Sequence, residues 1–486
     1  AFLSGIGPWR SGIYHNGDPW LKSDALRDAM LLPKHFRNEG YHTMTAGKIF
    51  HGANSRGMAD GVADENGGGM GGQSFKVIAD DFPDPFKDLK GIHNFAVHWG
   101  GLEGKKAAQL SDPKIAAWGA ERLQRDYEKP FLLMLGFHRP HTPLTSPKTF
   151  WEMFDRETIQ LPPIHTNDLA DMPWPGRQVA VAGYQEMQNG HYRMFTGRGH
   201  HRDILHGYLA ACAFVDAQVG KVLDALDRGT HRDNTIVVLF SDHGWGVGER
   251  YHFKKWGLWD DTTRIPYIIH VPGMTTAGAK TSVGVDLLDL YPTLVDLAGI
   301  KAPAQSLDGR SLRPLLENPQ TETEWKRPAL TTFGQENQAL RSPRWRYIRW
   351  SNGSEELYDH DNDPHEWHNV AAVPKNAAVK EQLAKWFPKA SAPSVASDHA
   401  SPVTLTPKDR TRHFRSIRPG FVDQPISVKA TIGPKITDGV ILQHGGMFCG
   451  YALYVKDGRL TMSVMDVPRP LQWMSLINIS EPTRLQ

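Results

Sequence analysis

The stretch Thr235-Ile236-Val237-Val238-Leu239-Phe240, running straight into Ser241-Asp242-His243-Gly244, decides how this chain is read. Six apolar or β-branched residues that end in an acid and an imidazole predict a buried strand presenting metal-binding groups at its C-terminal end. Open α/β sheets carry their chemistry at that end. Gly248-Glu249 and Lys255 follow closely and extend the polar cluster.

Composition bounds what such a cluster can belong to. With 486 residues, 40% hydrophobic and 22% charged, the chain can bury a large core and should hold more than one domain. Its 55 basic and 53 acidic residues give a formal net charge of +2, spread without a basic block, so nucleic acid is not an expected partner. No apolar run reaches the roughly 18 residues of a membrane span. The chain starts at Ala1 without a Met, so the lack of a visible signal peptide carries no information. Two cysteines, Cys212 and Cys449, exclude a disulfide framework and a cysteine-rich metal site, and both read as small buried hydrophobes.

Outward from the deciding strand, the pattern alternates. Ser23 should cap a helix over Asp24 to Arg37, followed by a strand from Tyr41 to Thr45 that leads into Gly47-Lys48. Asp112-Pro113 opens a helix to about Tyr127, and Pro130 to Gly136 reads as a buried strand delivering Phe137-His138-Arg139-Pro140-His141. A long amphipathic helix, about Asp203 to Leu226, precedes the Asp242 strand. Strand Ile265 to Val271 and helix Asp286 to Ala298, stopped by Gly299, complete the set. Strands separated by helices, several of them continuous apolar runs, predict an α/β fold with a mostly parallel central sheet flanked by helices.

Three strand ends thus carry polar clusters: Lys48 with His51, His138 with His141, and Asp242 with His243. A parallel sheet would bring all three to one rim, together with Lys255. A carboxylate for a hard divalent cation, with Lys and His for an anion's charge and for proton transfer, points to oxyanion chemistry around a metal. Singly, each cluster would pass for turn formers or caps.

Seven segments in order resemble the type I sulfatases of the alkaline phosphatase superfamily, in particular the iduronate-2-sulfatase-like group. They are AFLSG at the start, TAGKIFH at 45–51, GFHRPHTP at 136–143, VDAQVGKVLDAL at 215–226, SDHGWGVGE at 241–249, RIPYIIHVPG at 264–273 and EELYDHDNDPHEWHN at 355–369. The resemblance covers roughly residues 1 to 370. It implies a calcium-dependent sulfuric ester hydrolase with a formylglycine nucleophile, acting on a sulfated carbohydrate, periplasmic or secreted. It further implies Asp242 and His243 as metal ligands and Lys48 as the lysine bridging sulfate and nucleophile. His51 falls to the histidine that helps the covalent sulfate intermediate collapse, and His138 with Lys255 to the pair that hold the sulfate and assist the leaving alcohol. In the family a C-x-P-S-R motif, whose Cys or Ser becomes formylglycine, stands just before AFLSG, and an earlier strand ends in a calcium-binding Asp-Asp pair. Neither is in this chain, which therefore reads as truncated at its N-terminus and inactive as written.

By the same resemblance, residues 1–315 form the catalytic domain and 316–390 a small α+β C-terminal subdomain, in which Ala339 to Trp350 and Glu355 to Asp359 make a hairpin around a turn at Ser351 to Ser354. Residues 391–408, rich in Ser, Pro and Ala, read as a linker. Short alternating strands within 409–473 (Val428–Ile432, Gly439–Gln443, Tyr451–Lys456, Leu460–Val464) suggest a partial concanavalin-like β-sandwich. Residues 474–486 contain SLINISEPTR, close to the translation of a common sequencing adapter, and are set aside. His141 is left between a substrate contact and a supporting histidine, and Asp286 with Asp289 is read as a solvated face or cap. The Gly-rich segment from Gly67 to Gln73 is read as a linker. Two other readings stay open: a phosphate or phosphonate monoester hydrolase of the same superfamily, and a catalytically dead protein that binds sulfated glycans.

Overall fold

In the computed structural model, residues 1–51, 61–70, 98–182, 195–320 and 324–395 are described, together with the backbone of four strands between 439 and 478. Strand β1 (His42–Gly47) runs parallel to β2 (Glu65–Asn66), and β3 (Trp99–Leu102) is taken up elsewhere. On its other edge β1 pairs in parallel with β4 (Phe131–Gly136), in register from His42 opposite Phe131 to Gly47 opposite Gly136. β3 pairs in parallel with β5 (Leu144–Pro147). The strand that opened the sequence reading forms β6 (Val237–Phe240), two residues shorter than expected.

The helices sit where apolar periodicity placed them. The His201–Arg228 helix buries Ile204, Ala211, Phe214 and Gln218 along one face, and at roughly 1.5 Å per residue it spans the whole layer. Its C-terminal turns, with Leu123 of the Asp112–Leu123 helix, pack on Phe131, Leu133 and Val237, so one apolar cluster holds β4 and β6 over the same helices.

Several expectations are corrected. The expected parallel pairing holds for β1 with β2 and β4 and for β3 with β5, but after the hairpin of β7 (Gly246–Val247) and β8 (Phe253–Lys254), β9 (Tyr267–His270) returns antiparallel to β6. Between β6 and β9, Gly244 and Trp245 donate their N–H groups to the Thr262 and Asp261 carbonyls and hold the two ends of the connection together. Among the described residues, no strand hydrogen-bonds the second edge of β4 or of β6. The Asp24 to Arg37 helix is two helices, Asp24–Arg27 and Leu32–Asn38, because Pro33 can start a helix but not continue one. Ser23 does not cap; its hydroxyl donates to the Ser11 carbonyl. The helix from Asp112 stops at Leu123, short of Tyr127. Of the two readings of Asp286 and Asp289 the cap holds and the solvated face does not: they form a capping box and pair with Arg327 at 2.9 and 2.5 Å, with Asp289 buried. Gly299 ends the Leu290–Ala298 helix in the left-handed conformation expected of it.

The C-terminal subdomain is an antiparallel sheet of β10 (Ala329–Thr332), β11 (Gln338–Arg341), β12 (Trp345–Arg349) and β13 (Glu355–Asp359), with helix Ala377–Ala384 packed on it through Leu383. The β12–β13 hairpin turns where expected, but Ala339 to Trp350 breaks at Ser342-Pro343, where the Ser342 hydroxyl holds the Trp345 N–H. Two buried carboxylates lock the subdomain to the catalytic part. Glu356 accepts from Trp259 Nε1 (2.9 Å), Trp350 Nε1 (2.7 Å) and Tyr358 Oη (2.7 Å). Glu366 accepts from Arg250, Arg346 and His360.

Strands β14 (Gly439–Gly445), β15 (Cys449–Lys456), β16 (Arg459–Asp466) and β17 (Arg469–Asn478) form a separate antiparallel meander. β17 runs on through 474–478, which the sequence reading set aside. The Val428 to Ile432 strand, most of the 391–408 linker and Gly71 to Gln73 lie outside the described residues.

Candidate active site

The site begins with two glycines. A Cβ on Gly47 would stand 2.2 Å from the Gly136 carbonyl oxygen, and one on Gly136 would stand 2.2 Å from the Lys48 carbonyl oxygen. Only glycine lets the ends of β1 and β4 come this close, and Gly47 also has a left-handed φ of 80°. Lys48 then donates its backbone N–H to Gly136 (2.7 Å) and sends its side chain across to the end of β6. There Nζ meets Asp242 Oδ2 at 3.1 Å.

Around this ion pair stand His243, His51, Lys255 and His141. His243 donates Nδ1–H to the Gly244 carbonyl (2.7 Å), which fixes the tautomer and leaves the Nε2 lone pair 3.5 Å from Asp242 Oδ1. Burial would raise the Asp242 carboxyl, but His243, Lys48 and Lys255 together pull it below its ordinary value. Lys255 is lowered by burial and then by Lys48. His51 is lowered by burial and by both lysines, and is neutral at pH 7. Lys48, Lys255 and Asp242 act on both His51 and His243, so the clusters of β1 and β6 and the Lys255 loop do converge.

The third cluster divides. Asp112, at the start of its helix and buried, accepts the backbone N–H of His138 (2.8 Å) and of Arg139 (3.1 Å). The His138 ring lies against Ser111 Oγ, 3.1 Å from Nδ1. The Arg139 guanidinium is buried and donates to the Thr145 carbonyl and hydroxyl and to the His141 carbonyl, tying the loop from both ends. Burial first, and then the charges of Lys255 and Lys48, bring the His141 ring down to about 4. Its Nδ1–H goes to the Thr142 carbonyl at 2.6 Å. The sequence signal for this arrangement was Asp112-Pro113 opposite the β4 end, an acceptor aimed at two strand-end amides.

As metal ligands, Asp242 and His243 offer one carboxylate and one imidazole with free lone pairs facing a common point. That fits one side of a divalent cation's shell; calcium takes six to eight oxygens. A second acidic group, Asp260, His360 and Glu366, lies within 4.8 Å but is occupied by arginines: Arg346 bonds Asp260 and Glu366, and Arg341 bonds Asp260. It is an ion-pair network. His201 and His206 each use Nε2 on a carbonyl, of Val247 and Trp151. Among the described residues no helix is long and apolar enough to cross a membrane.

Comparison with known proteins agrees with this geometry. The sulfatase family matches residues 1–300, and the family described as N-sulphoglucosamine sulphohydrolase, C-terminal, matches 248–392. A sulfatase of Formosa agariphila is 34% identical over 400 residues, covering 81% of this chain and 76% of that protein. Iduronate 2-sulfatase of Mus musculus is 28% identical over 356 residues, 62% of this chain and 60% of that protein. Among solved structures, one in complex with its substrate D-glucosamine-2-N,6-O-disulfate aligns with TM-score 0.56 at 21% identity, covering 79% of this chain and 85% of that one. The phosphonate monoester hydrolase of Agrobacterium radiobacter aligns with TM-score 0.60 at 21% identity, covering 79% and 83%, so the fold by itself does not separate the two chemistries. The identities to the relatives and the family match do: this chain belongs to the sulfatase family of sulfuric ester hydrolases.

Proposed function

We propose that this chain is the binding and proton-handling part of a calcium-dependent, formylglycine-type sulfatase that acts on a sulfated carbohydrate. The observation that carries the reading is the meeting of Lys48, Asp242, His51, His141 and Lys255 at adjoining strand ends, an anion site with two ammonium groups and two neutral imidazoles. Asp242 and His243 would hold the calcium ion, which supplies positive charge to the sulfate oxygens. Lys48 and Lys255 hold the sulfate from the protein side. Cleavage of a sulfate ester places negative charge on the leaving alcohol oxygen, so a proton donor there lowers the barrier. Lys255 Nζ suits that task, because burial and Lys48 make its ammonium more acidic than a free lysine. His51, neutral, can take a proton from the nucleophile's side. We assign to His141, rather than to His138, the place beside Lys255.

The nucleophile would come from a C-x-P-S-R segment joined to Ala1. Support for its position is local: Phe2 packs edge-on against Phe240 at 5.4 Å, which sets Ala1 near the end of β6. The relatives named for sulfated sugars favour a carbohydrate ester, and a periplasmic or secreted setting suits such polymers. The test is release of inorganic sulfate from a panel of sulfated glycosaminoglycan oligosaccharides by the chain joined to its upstream segment, against matched phosphate and phosphonate esters. Sulfate release that needs calcium supports the reading. Preference for the phosphorus esters, or tight glycan binding without turnover, would replace it.

A further inference from the structure

Lys255 is presented by an unusual piece of backbone. Arg250, Tyr251, Lys254 and Trp256, none of them glycine, have φ of 51°, 58°, 76° and 80°. Left-handed non-glycine residues cost about 1 to 3 kcal/mol each and persist only where surroundings over-determine them. Something must therefore hold this loop, and the structure shows what does. Gly248 N–H donates to the His252 carbonyl (2.9 Å) and His252 N–H to the Glu249 carbonyl (2.8 Å), closing the turn. Arg250 is pinned by the His365 and Glu366 carbonyls and by the Glu366 carboxylate.

A further restraint is a side chain that no assigned role uses. His252 is fully buried, edge-on to Trp259. Its Nε2 lies 3.0 Å from the Lys255 carbonyl oxygen and its Nδ1 lies 3.2 Å from the carbonyl oxygen of Ala180, in the Trp174–Ala182 helix. Both partners are carbonyl oxygens and burial disfavours the charged ring, so one nitrogen donates: the shorter contact, Nε2–H to the Lys255 carbonyl, is taken as the hydrogen bond, while the Nδ1 edge packs against the Ala180 helix and braces the loop there. We infer that His252 is a positioning residue for Lys255, fixing the peptide from which the lysine reaches the sulfate site. The inference rests on the role given to Lys255 above. A side chain that sets a reacting group to within an ångström can be worth about 100-fold in rate without touching substrate.

The test uses the enzyme carrying its upstream segment, with His252→Phe, which keeps a ring but no donor, and His252→Gln, which keeps one donor. His252→Phe should lower kcat on a sugar sulfate by roughly 10- to 100-fold with KM within about twofold. It should do much less to nitrophenyl sulfate, whose leaving group needs no proton. His252→Gln should recover part of the loss. In a Lys255→Ala background, His252→Phe should cost nothing more, since it acts through that lysine. A crystal structure of His252→Phe should show Lys255 Nζ shifted relative to Lys48 and Asp242. Equal losses on both substrates, losses that multiply with Lys255→Ala, or an unmoved Lys255 would overturn the inference. If either variant fails to fold by thermal melt, the other carries the same comparison. If the parent enzyme releases no sulfate, the sulfatase reading fails by itself, and the crystal structure still decides whether His252 sets the position of Lys255.

Discussion

Glu366→Gln isolates the charge that joins the C-terminal subdomain to the catalytic part. The Glu366 side chain is 0% exposed and faces Arg346 and Arg250, themselves 2% and 3% exposed. It also accepts the Asp260 backbone N–H at 3.1 Å and His360 Nε2 at 2.8 Å. Gln keeps the volume but leaves two buried guanidinium groups without the carboxylate charge they share. Removing one partner of a buried pair costs about 3 to 5 kcal/mol, and the network places this substitution in that range. The pH dependence follows from the folded-state acidity. Burial alone would raise the Glu366 carboxyl, but Arg346, His360 and Arg250 reverse this and hold it far below its ordinary 4.5. A depressed carboxyl contributes stability that is full above 4.5 and is lost as pH falls toward the folded value. The gap between the parent chain and Glu366→Gln should therefore be full at pH 7 and should narrow below about pH 4.5. Urea unfolding followed by tryptophan fluorescence at pH 7 and pH 3.5 measures both. A loss under about 1 kcal/mol at pH 7, or a gap that stays constant into acid, would refute the assignment of Glu366 as the ionised centre of the junction.

Asp261→Asn should have the opposite pH signature. Burial raises this carboxyl to about 7, and neither oxygen has a hydrogen-bond partner. The folded state then keeps a proton that the unfolded chain releases near 3.8, so stability falls as pH rises from 4 through 7. Asn removes that fall, and thermal melts at pH 5 and pH 8 should show the variant gaining more on the parent at pH 8 than at pH 5. Gly47→Ala puts a methyl 2.2 Å from the Gly136 oxygen and 2.7 Å from Ile115 Cδ1 at a φ of 80°. A left-handed penalty of about 1 to 2 kcal/mol plus overpacking of about 1 to 3 kcal/mol predicts a loss of roughly 2 to 5 kcal/mol, read by urea unfolding. In the active enzyme, His141→Ala should cut sulfate release by at least about 100-fold, whereas His138→Ala should mainly cost stability. Equal losses of turnover would return His138 to the catalytic set.

Much of this architecture could be read from sequence because apolar runs and helix periods record burial directly. The β4 run, the long helix ending at Arg228 and the glycine stop at Gly299 all formed within a few residues of expectation. Parallel pairing was legible for β1 with β4, but the direction of β9 was not. The antiparallel return of β9 goes with backbone bonds from Gly244 and Trp245 to a short helix at Asp260–Thr263, which no side-chain pattern records. The break at Pro33 was visible, since proline starts helices and disfavours the helical state one residue earlier. At the site, Lys48, His51, Asp242, His243 and Lys255 came from strand-end position together with resemblance. The choice between His138 and His141 depends on contacts such as that of the His138 ring with Ser111 Oγ, 27 residues distant in sequence. His252 carried no signal at all, because its role is to bond a main-chain oxygen.

The central claim is that the Lys48, Asp242 and Lys255 cluster binds and cleaves a sulfate ester. Sulfate release from a sulfated glycosaminoglycan oligosaccharide, measured by ion chromatography for the chain joined to its upstream segment and for its Lys255→Ala variant, tests it most directly. The account predicts calcium-dependent turnover in the parent and a fall of about 100- to 1,000-fold in the variant, with the thermal melt unchanged. Near-parent turnover by Lys255→Ala would contradict it.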